Sequence, residues 1–195
     1  MSGTDPAPPR RMVPALGKRF RSGRPCLDFA HTAGPRELAE PELILDAASL
    51  QRWLGHVLGV DGVRALAGDV ARAHRLRTAI LRVARARATG AGLDAEDIQT
   101  INNFADAATP VPQLGVYGTL ELSPRVTVAA ALSVLARDVI DLVTGPLGSR
   151  IRVCAAEGCA FLFVDASRPG TRRWCSMQRC GNLAKVRTHR GTQGR

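Results

Sequence analysis

Two cysteine pairs decide the fold at the C-terminal end of this chain: Cys154-Ala155-Ala156-Glu157-Gly158-Cys159 and, after fifteen further residues, Cys175-Ser176-Met177-Gln178-Arg179-Cys180. Each pair has the spacing C-x4-C, so a short loop can turn both of its sulfurs toward one ion. Four thiolates indicate a tetrahedral metal centre, with zinc as the first choice and an iron–sulfur cluster as the second. The spacing is wider than the commoner C-x2-C and does not by itself decide the kind of site. A closed four-ligand site leaves no position for a catalytic water, which argues against metal-assisted hydrolysis.

The residues around these cysteines predict a small zinc finger made of a knuckle, a β-hairpin and a helix. The apolar run 161–164 predicts a strand, and the Pro-Gly pair within 165–170 predicts a turn. Ser176 stands where the N-cap of a helix would stand. That helix would have an apolar side formed by Met177, Leu183, Ala184 and Val186, and a basic side formed by Lys185, Arg187 and Arg190.

A longer pattern through this region resembles the CGNR zinc finger over about 150–190. Its residues are Phe163, Asp165, Ser167, Arg168, Gly170, Arg172, Arg173, Trp174, Cys175, Ser176, Met177, Cys180, Gly181, Asn182 and Lys185. The resemblance implies that Cys154, Cys159, Cys175 and Cys180 bind one zinc ion (Zn2+) per chain. The family's eponymous Arg is Leu183 here, so any contact that this Arg would make is lost.

The front of the chain resembles, more loosely, the ABATE domain that usually precedes this finger in bacterial proteins. The resemblance covers about 25–145 and rests on Leu27-Asp28-Phe29, on Trp53-Leu54, on Leu76-Arg77 and on the distance to the finger. His31 stands where the family commonly has Asn. The resemblance implies a stress-induced transcriptional regulator.

Hydrophobic periodicity predicts a mainly α protein with a minor β component (α+β), in which a helical N-terminal domain precedes the finger. The segment 25–32 is interpreted as a first strand. Helices are predicted at about 47–58, capped by Asp46, at 62–88, capped by Asp61, from 94 onward and at 125–144, with a small hairpin at 114–122. Leu66 is expected on the buried side of the second helix, and Ile98 and Ile101 are expected to face inward on the third. The last helix has an apolar stripe formed by Val128, Leu132, Leu135, Val139 and Leu142. The glycine-rich segment 145–148 is interpreted as a hinge between two independently stable modules.

The positive charge is concentrated at the two ends of the chain. Residues 1–25 hold six Lys or Arg and one acidic residue, and residues 150–195 hold ten Lys or Arg and two acidic residues. The segment between them, 26–149, holds eleven Lys or Arg and fourteen acidic residues. A basic arm at 1–24, expected to be disordered, and a basic finger indicate a nucleic-acid partner. Solubility alone, or a base composition rich in Arg codons, would give the same charge. The candidate phosphate contacts are Arg172, Arg173, Lys185, Arg187 and Arg190.

Three polar residues of the front domain are candidate ligand-binding residues: Asp28, His31 and Arg77. Asp28 and His31 can form a structural hydrogen-bonded pair or an acid–base pair. Arg77 lies near the buried face of its helix and needs a partner, either Asp28 or an anionic ligand. Cys26 is interpreted as a small buried hydrophobic residue.

These patterns predict a zinc-binding, DNA-binding transcriptional regulator whose helical domain senses a ligand or forms a homodimer. The alternative is a zinc-stapled RNA-binding or protein–protein adaptor. An enzyme in the front domain is a third reading, but no catalytic signature supports it, so we expect none. No apolar run approaches the length of a membrane span and no signal peptide is recognisable, so we expect a cytoplasmic, nucleoid-associated protein.

Overall fold

The computed structural model of the chain describes residues 22–33, 42–59, 63–122 and 126–182. Within these ranges the chain is mainly helical and carries two small antiparallel sheets, which confirms the predicted fold class. Most of the predicted basic arm lies outside the described residues, as do the proposed helix cap Asp61 and everything beyond Asn182. No helix of the described ranges is long and apolar enough to cross a membrane.

The first element is a helix, α1 (Pro25–Ala30), followed by a 3-10 turn (His31–Ala33). The predicted strand at 25–32 is therefore wrong. Pro25 occupies the first turn of α1, where its fixed φ favours a helix and its missing N–H costs nothing. Cys26, Leu27, Phe29 and Ala30 are all buried, so the helix is covered on most sides and shows no helical periodicity in the sequence.

The helices α2 (Ala47–Leu58) and α3 (Ala67–Thr89) follow, and both end at a glycine with positive φ. Asp46 caps α2 by accepting from the Ser49 N–H at 2.7 Å. The helix α3 begins five residues later than predicted, because residues 63–66 are not helical and Arg64 forms a parallel β-bridge with Thr127. Leu66, which was expected on the buried side of α3, is 74% exposed because it precedes the helix as its N-cap residue.

The chain then forms α4 (Ala95–Ala105), the hairpin of β1 (Pro112–Leu114) and β2 (Leu120–Leu122), and α5 (Val128–Thr144). The predicted α4, the hairpin and the 125–144 helix are confirmed, apart from small shifts of their ends. The predicted apolar stripe of α5 is buried: Val128, Leu132, Leu135, Val139 and Leu142. Of the residues expected to face inward on α4, Ile101 is buried but Ile98 is 39% exposed.

A second hairpin, of β3 (Ile151–Val153) and β4 (Leu162–Val164), follows a 3-10 turn (Gly148–Arg150). Ile151, Leu162 and Val164 belong to the same hydrophobic core as α1 to α5. Gly148 is close-packed, since an added Cβ would lie 2.5 Å from the Val143 carbonyl oxygen. Packing therefore continues across the segment that the sequence predicted to be a hinge.

Candidate metal centre

The first cysteine pair is held by the turn that links β3 to β4. Cys154 follows β3, and its N–H donates to the Phe161 carbonyl at 2.9 Å. The chain then folds back through Gly158, whose φ of +71° favours glycine, and the Cys159 N–H donates to Ala156 at 3.0 Å. This turn keeps the Sγ atoms of Cys154 and Cys159 within 4.8 Å of each other.

The second pair is held by a turn of π-helix (Met177–Gly181). Its N-cap is Ser176, as predicted, and the Ser176 hydroxyl accepts from the Arg179 N–H at 3.3 Å. The N–H groups of Cys180 and Gly181 both donate to the Ser176 carbonyl at 3.0 Å. This wide turn brings Cys180 back beside Cys175.

The four Sγ atoms lie within 4.8 Å of one another, and all four cysteines are buried. Cys175 Sγ is 3.8 Å from Cys159 Sγ and 3.6 Å from Cys180 Sγ. With zinc–sulfur bonds of about 2.3 Å, a tetrahedral site places its sulfurs about 3.8 Å apart. In addition, the Cys175 N–H points at Cys154 Sγ at 3.4 Å. The donor set, its spacing and its burial fit one structural zinc ion.

The electrostatics of the four thiols also favour a cation. Hydrogen bonds from Cys159 and Cys175 hold the pKa of Cys154 well below that of an ordinary thiol. The hydrogen bond to Cys154 raises the pKa of Cys175 far above the ordinary value, and burial raises the pKa of Cys180. One thiolate is thus stabilised, while ionisation of the other thiols is unfavourable. A divalent cation at the centre of the cluster would favour the ionised form of all four.

A small aromatic core surrounds the cysteines, made of Phe161, Phe163 and Trp174. Trp174 therefore packs against the cysteine cluster and contributes to the core of the finger. The guanidinium of Arg172 lies 4.6 Å from the centre of the Phe163 ring and donates to the carbonyls of Trp174 (2.9 Å) and Cys175. Arg172 is thus engaged inside the finger.

The loop between the two pairs is closed by a buried carboxylate. Asp165 accepts from the Ser167 hydroxyl and from the Ser167 and Arg172 N–H groups at 2.5–2.9 Å. The hydrogen bond from the Ser167 hydroxyl is the largest of the effects that lower the pKa of Asp165. Arg150 adds hydrogen bonds to the carbonyls of Asp165 and Ser167.

Of the five predicted phosphate contacts, the structure describes two, Arg172 and Arg173. Arg172 is half-buried and bonded as described, whereas Arg173 is exposed, with its guanidinium 5.5 Å from the centre of the Trp174 ring. Lys185, Arg187 and Arg190, together with Leu183, lie outside the described residues. Exposed Arg168 lies in the same loop as Asp165 and was not among the predicted contacts.

Asp28, His31 and Arg77 each bond to a different partner. Asp28 accepts from the Ser22 hydroxyl at 2.6 Å, and burial raises its pKa to about 6. His31 Nε2 accepts from the Leu162 N–H at 2.8 Å, and burial lowers its pKa to about 4. The predicted pairings of Asp28 with His31 and with Arg77 are therefore wrong.

The partner of Arg77 is Glu42, in a bidentate pair at 2.6 and 2.7 Å, and Thr32 accepts a further hydrogen bond at 3.1 Å. Sequence reasoning missed Glu42 because it lies thirty-five residues away with no local signal. It also missed the pairing of Arg24 with Asp138 and Asp141. Cys26 is fully buried, as predicted.

A separate surface cavity of about 300 Å³ lies between α3 and α4. Its lining combines both charges, since Arg75 and Arg82 face Glu96 and Asp97. It contains none of the three residues that the sequence offered as ligand-binding.

The fold and the site together define a mainly helical protein with a closed four-cysteine zinc centre. A family model described as ABATE, "putative stress-induced transcription regulator", matches residues 23–146, and one described as the CGNR zinc finger matches residues 150–192. A search of curated proteins finds no match. Since the first match covers more than half of the chain, the protein belongs to the ABATE family and carries a CGNR zinc finger C-terminal to the ABATE domain. Both resemblances drawn from the sequence are thereby confirmed.

Proposed function

We propose that this protein is a transcriptional regulator that binds DNA through its zinc finger. The observation that carries the proposal is the uneven charge: the zinc-fixed loop exposes Arg168 and Arg173, and residues 183–195 add four Lys or Arg and no acid. A cationic surface of this kind attracts a polyanion. DNA is favoured over RNA by the family's description as transcription regulators. A cytoplasmic, nucleoid-associated location belongs to the same proposal.

The binding would depend mainly on phosphate contacts. Because Arg172 is engaged inside the finger, the candidate contacts are Arg168, Arg173, Lys185, Arg187 and Arg190. Phosphate contacts fix the position of a protein on the duplex and carry little sequence information. Leu183 cannot form the forked pair with guanine that an Arg forms, which is worth roughly 1–3 kcal/mol of discrimination.

A salt titration of DNA binding by the zinc-loaded protein tests the proposal. Three to five neutralised phosphates give a slope of about −3 to −5 in log affinity against log salt. Arg173→Gln should reduce the slope by about one. Arg52→Gln, an exposed arginine of α2, should leave it unchanged. A slope near zero would refute DNA binding, and stronger binding to structured RNA or to a protein would favour the adaptor function.

The helical region would supply the regulatory part of this role, by sensing a small molecule or by forming a homodimer. The cavity lined by Arg75, Arg82 and Asp97 supports the first of these functions. The hairpin of β1 and β2 supports the second, because Leu114 and Tyr117 are 86% and 90% exposed. A non-enzymatic role fits the separate structural partners of Asp28, His31 and Arg77. Sedimentation equilibrium of the wild type and of Leu114→Ser tests the homodimer: a dimer should dissociate in the variant, and a monomeric wild type would refute it.

A further inference from the structure

The strand β4 is buried on both faces, and each face belongs to a different core. Leu162 and Val164 point into the main core that α1 to α5 form. Phe163, between them, points into the cluster that contains the four cysteines. Because successive side chains of a strand face opposite ways, three residues of β4 serve as the common wall of the two cores.

His31 links the helical region to the beginning of this wall. Its imidazole comes from the turn after α1 and accepts a hydrogen bond from the Leu162 N–H at 2.8 Å. The same ring stacks on the Phe161 ring, with centroids 3.8 Å apart and an interplanar angle of 14°. His31 therefore contacts both Leu162, the first residue of β4, and Phe161, the residue before it.

The path from His31 to the metal ligands is short. Phe161 packs against the cysteine cluster, and its carbonyl accepts the N–H of Cys154 at 2.9 Å. On the other edge of β4, the Val164 N–H donates to the Ser22 carbonyl at 2.7 Å. Arg85 of α3 reaches the Ala160 carbonyl at 3.3 Å. Residues 160–164, which follow the first cysteine pair, are thus fixed by three separate parts of the helical region.

We propose that His31 is a positioning residue of the metal centre, and that it couples zinc retention to the packing of the helical core. A neutral imidazole that accepts at Nε2 and stacks through its face holds Phe161 and Leu162 in the position in which Cys154 meets its partner sulfurs. Outer contacts of this kind determine how well ligands are oriented before a metal binds. Loss of the metal would in turn loosen β4 and the core on its other face. The inference does not depend on DNA binding.

The first test measures zinc release from the full-length protein to a competing chromogenic chelator, well below the melting temperature. We expect His31→Ala to retain zinc about 10-fold less tightly, at the lower end of outer-contact effects. His31→Gln, whose amide oxygen can accept the Leu162 N–H, should recover part of the loss. The matched control is His74→Ala, which removes a ring bonded to the Ile44 carbonyl at 2.9 Å inside the helical region.

Wild-type retention in His31→Ala, or an equal loss in both alanine variants, would overturn the positioning role. A second measurement covers the case in which His31→Ala does not fold. The chain has two tryptophans, so Trp174→Phe leaves Trp53 as the sole reporter, buried 5.0 Å from the Phe29 ring. Zinc removal from that variant should shift the Trp53 emission to the red. An unchanged Trp53 spectrum, with zinc fully removed, would overturn the coupling.

Discussion

At the scale of single residues, the buried charges of the helical region are explained by their partners. The Arg77 side chain is only 10% exposed, and Glu42 and Thr32 accept hydrogen bonds from its guanidinium. Hydrogen bonds from Arg77 and from the Ile44 N–H lower the pKa of Glu42 against an opposing effect of burial. A buried guanidinium without an anionic partner destabilises the fold, so the pairing with Glu42 determines how much free energy this site contributes.

Replacement of Glu42 by alanine should therefore destabilise the protein by about 2–4 kcal/mol, because it leaves a buried cation unpaired. The double variant Glu42→Ala, Arg77→Met should recover much of this loss, since it removes the charge as well. Urea unfolding of the zinc-loaded proteins measures both effects. As a control, Arg72→Gln breaks an exposed pair with Asp69 and should cost at most about 1 kcal/mol. A Glu42→Ala variant as stable as the control would contradict the assignment.

Asp28 gives a prediction on pH dependence. Burial raises its pKa in the folded protein from the usual 3.8 to about 6, so the folded state binds this proton more tightly than the unfolded state. Relative to Asp28→Asn, the wild type should therefore gain stability as the pH falls from 7 toward 4. The asparagine oxygen can still accept from Ser22, and both proteins share the same zinc site. Urea unfolding at pH 7.5 and pH 5 gives the comparison, and a difference that is constant or that moves the other way would refute the shift.

At the scale of elements, the finger owes its shape to contacts between its two cysteine loops. The Ala155 N–H donates to the Arg173 carbonyl at 2.9 Å, and the Arg172 guanidinium donates to the carbonyls of Trp174 and Cys175. Neighbouring arginines thus have different roles: one holds the second loop in place and the other is exposed.

Arg172→Leu should consequently release zinc faster than the wild type, because the second cysteine loop loses its hydrogen bonds. Arg173→Leu should release zinc at the wild-type rate and affect only the proposed DNA binding. Chelator-driven zinc release from the two variants, prepared in parallel, separates these roles. Equal release from both would show that Arg172 does not stabilise the loop.

At the scale of the whole molecule, the sequence predicted what depends on local pattern. The apolar stripe of α5, the caps Asp46 and Ser176 and the four ligands are all recognisable from spacing. The pairing of Arg77 with Glu42 could not be predicted, because it joins distant parts of the chain. The role of β4 could not be predicted either. Its three apolar residues form one continuous run in the sequence, and only the fold shows that Leu162 and Val164 belong to one core and Phe163 to the other. The short helix α1 was missed because its buried residues lie on nearly every side.

Removal of the finger tests how far the two regions depend on each other. A chain that ends at Ser149 should keep its helical circular dichroism but melt at a lower temperature than the zinc-loaded protein. It lacks Ile151, Leu162 and Val164, and each buried side chain of this size contributes about 1.5–3 kcal/mol. An unfolded or aggregated product would contradict the independence predicted for the helical region. An unchanged melting temperature would contradict the shared core.

The zinc centre is the central claim, and metal analysis of the purified protein combined with X-ray absorption at the zinc edge tests it most directly. The structure predicts one zinc ion per chain, with four sulfur ligands at about 2.3 Å. It also predicts that a serine at any of Cys154, Cys159, Cys175 or Cys180 lowers zinc retention and loosens residues 150–182 while the helices persist. A protein that contains no metal, iron with sulfide, or zinc with fewer than four sulfur ligands would contradict it.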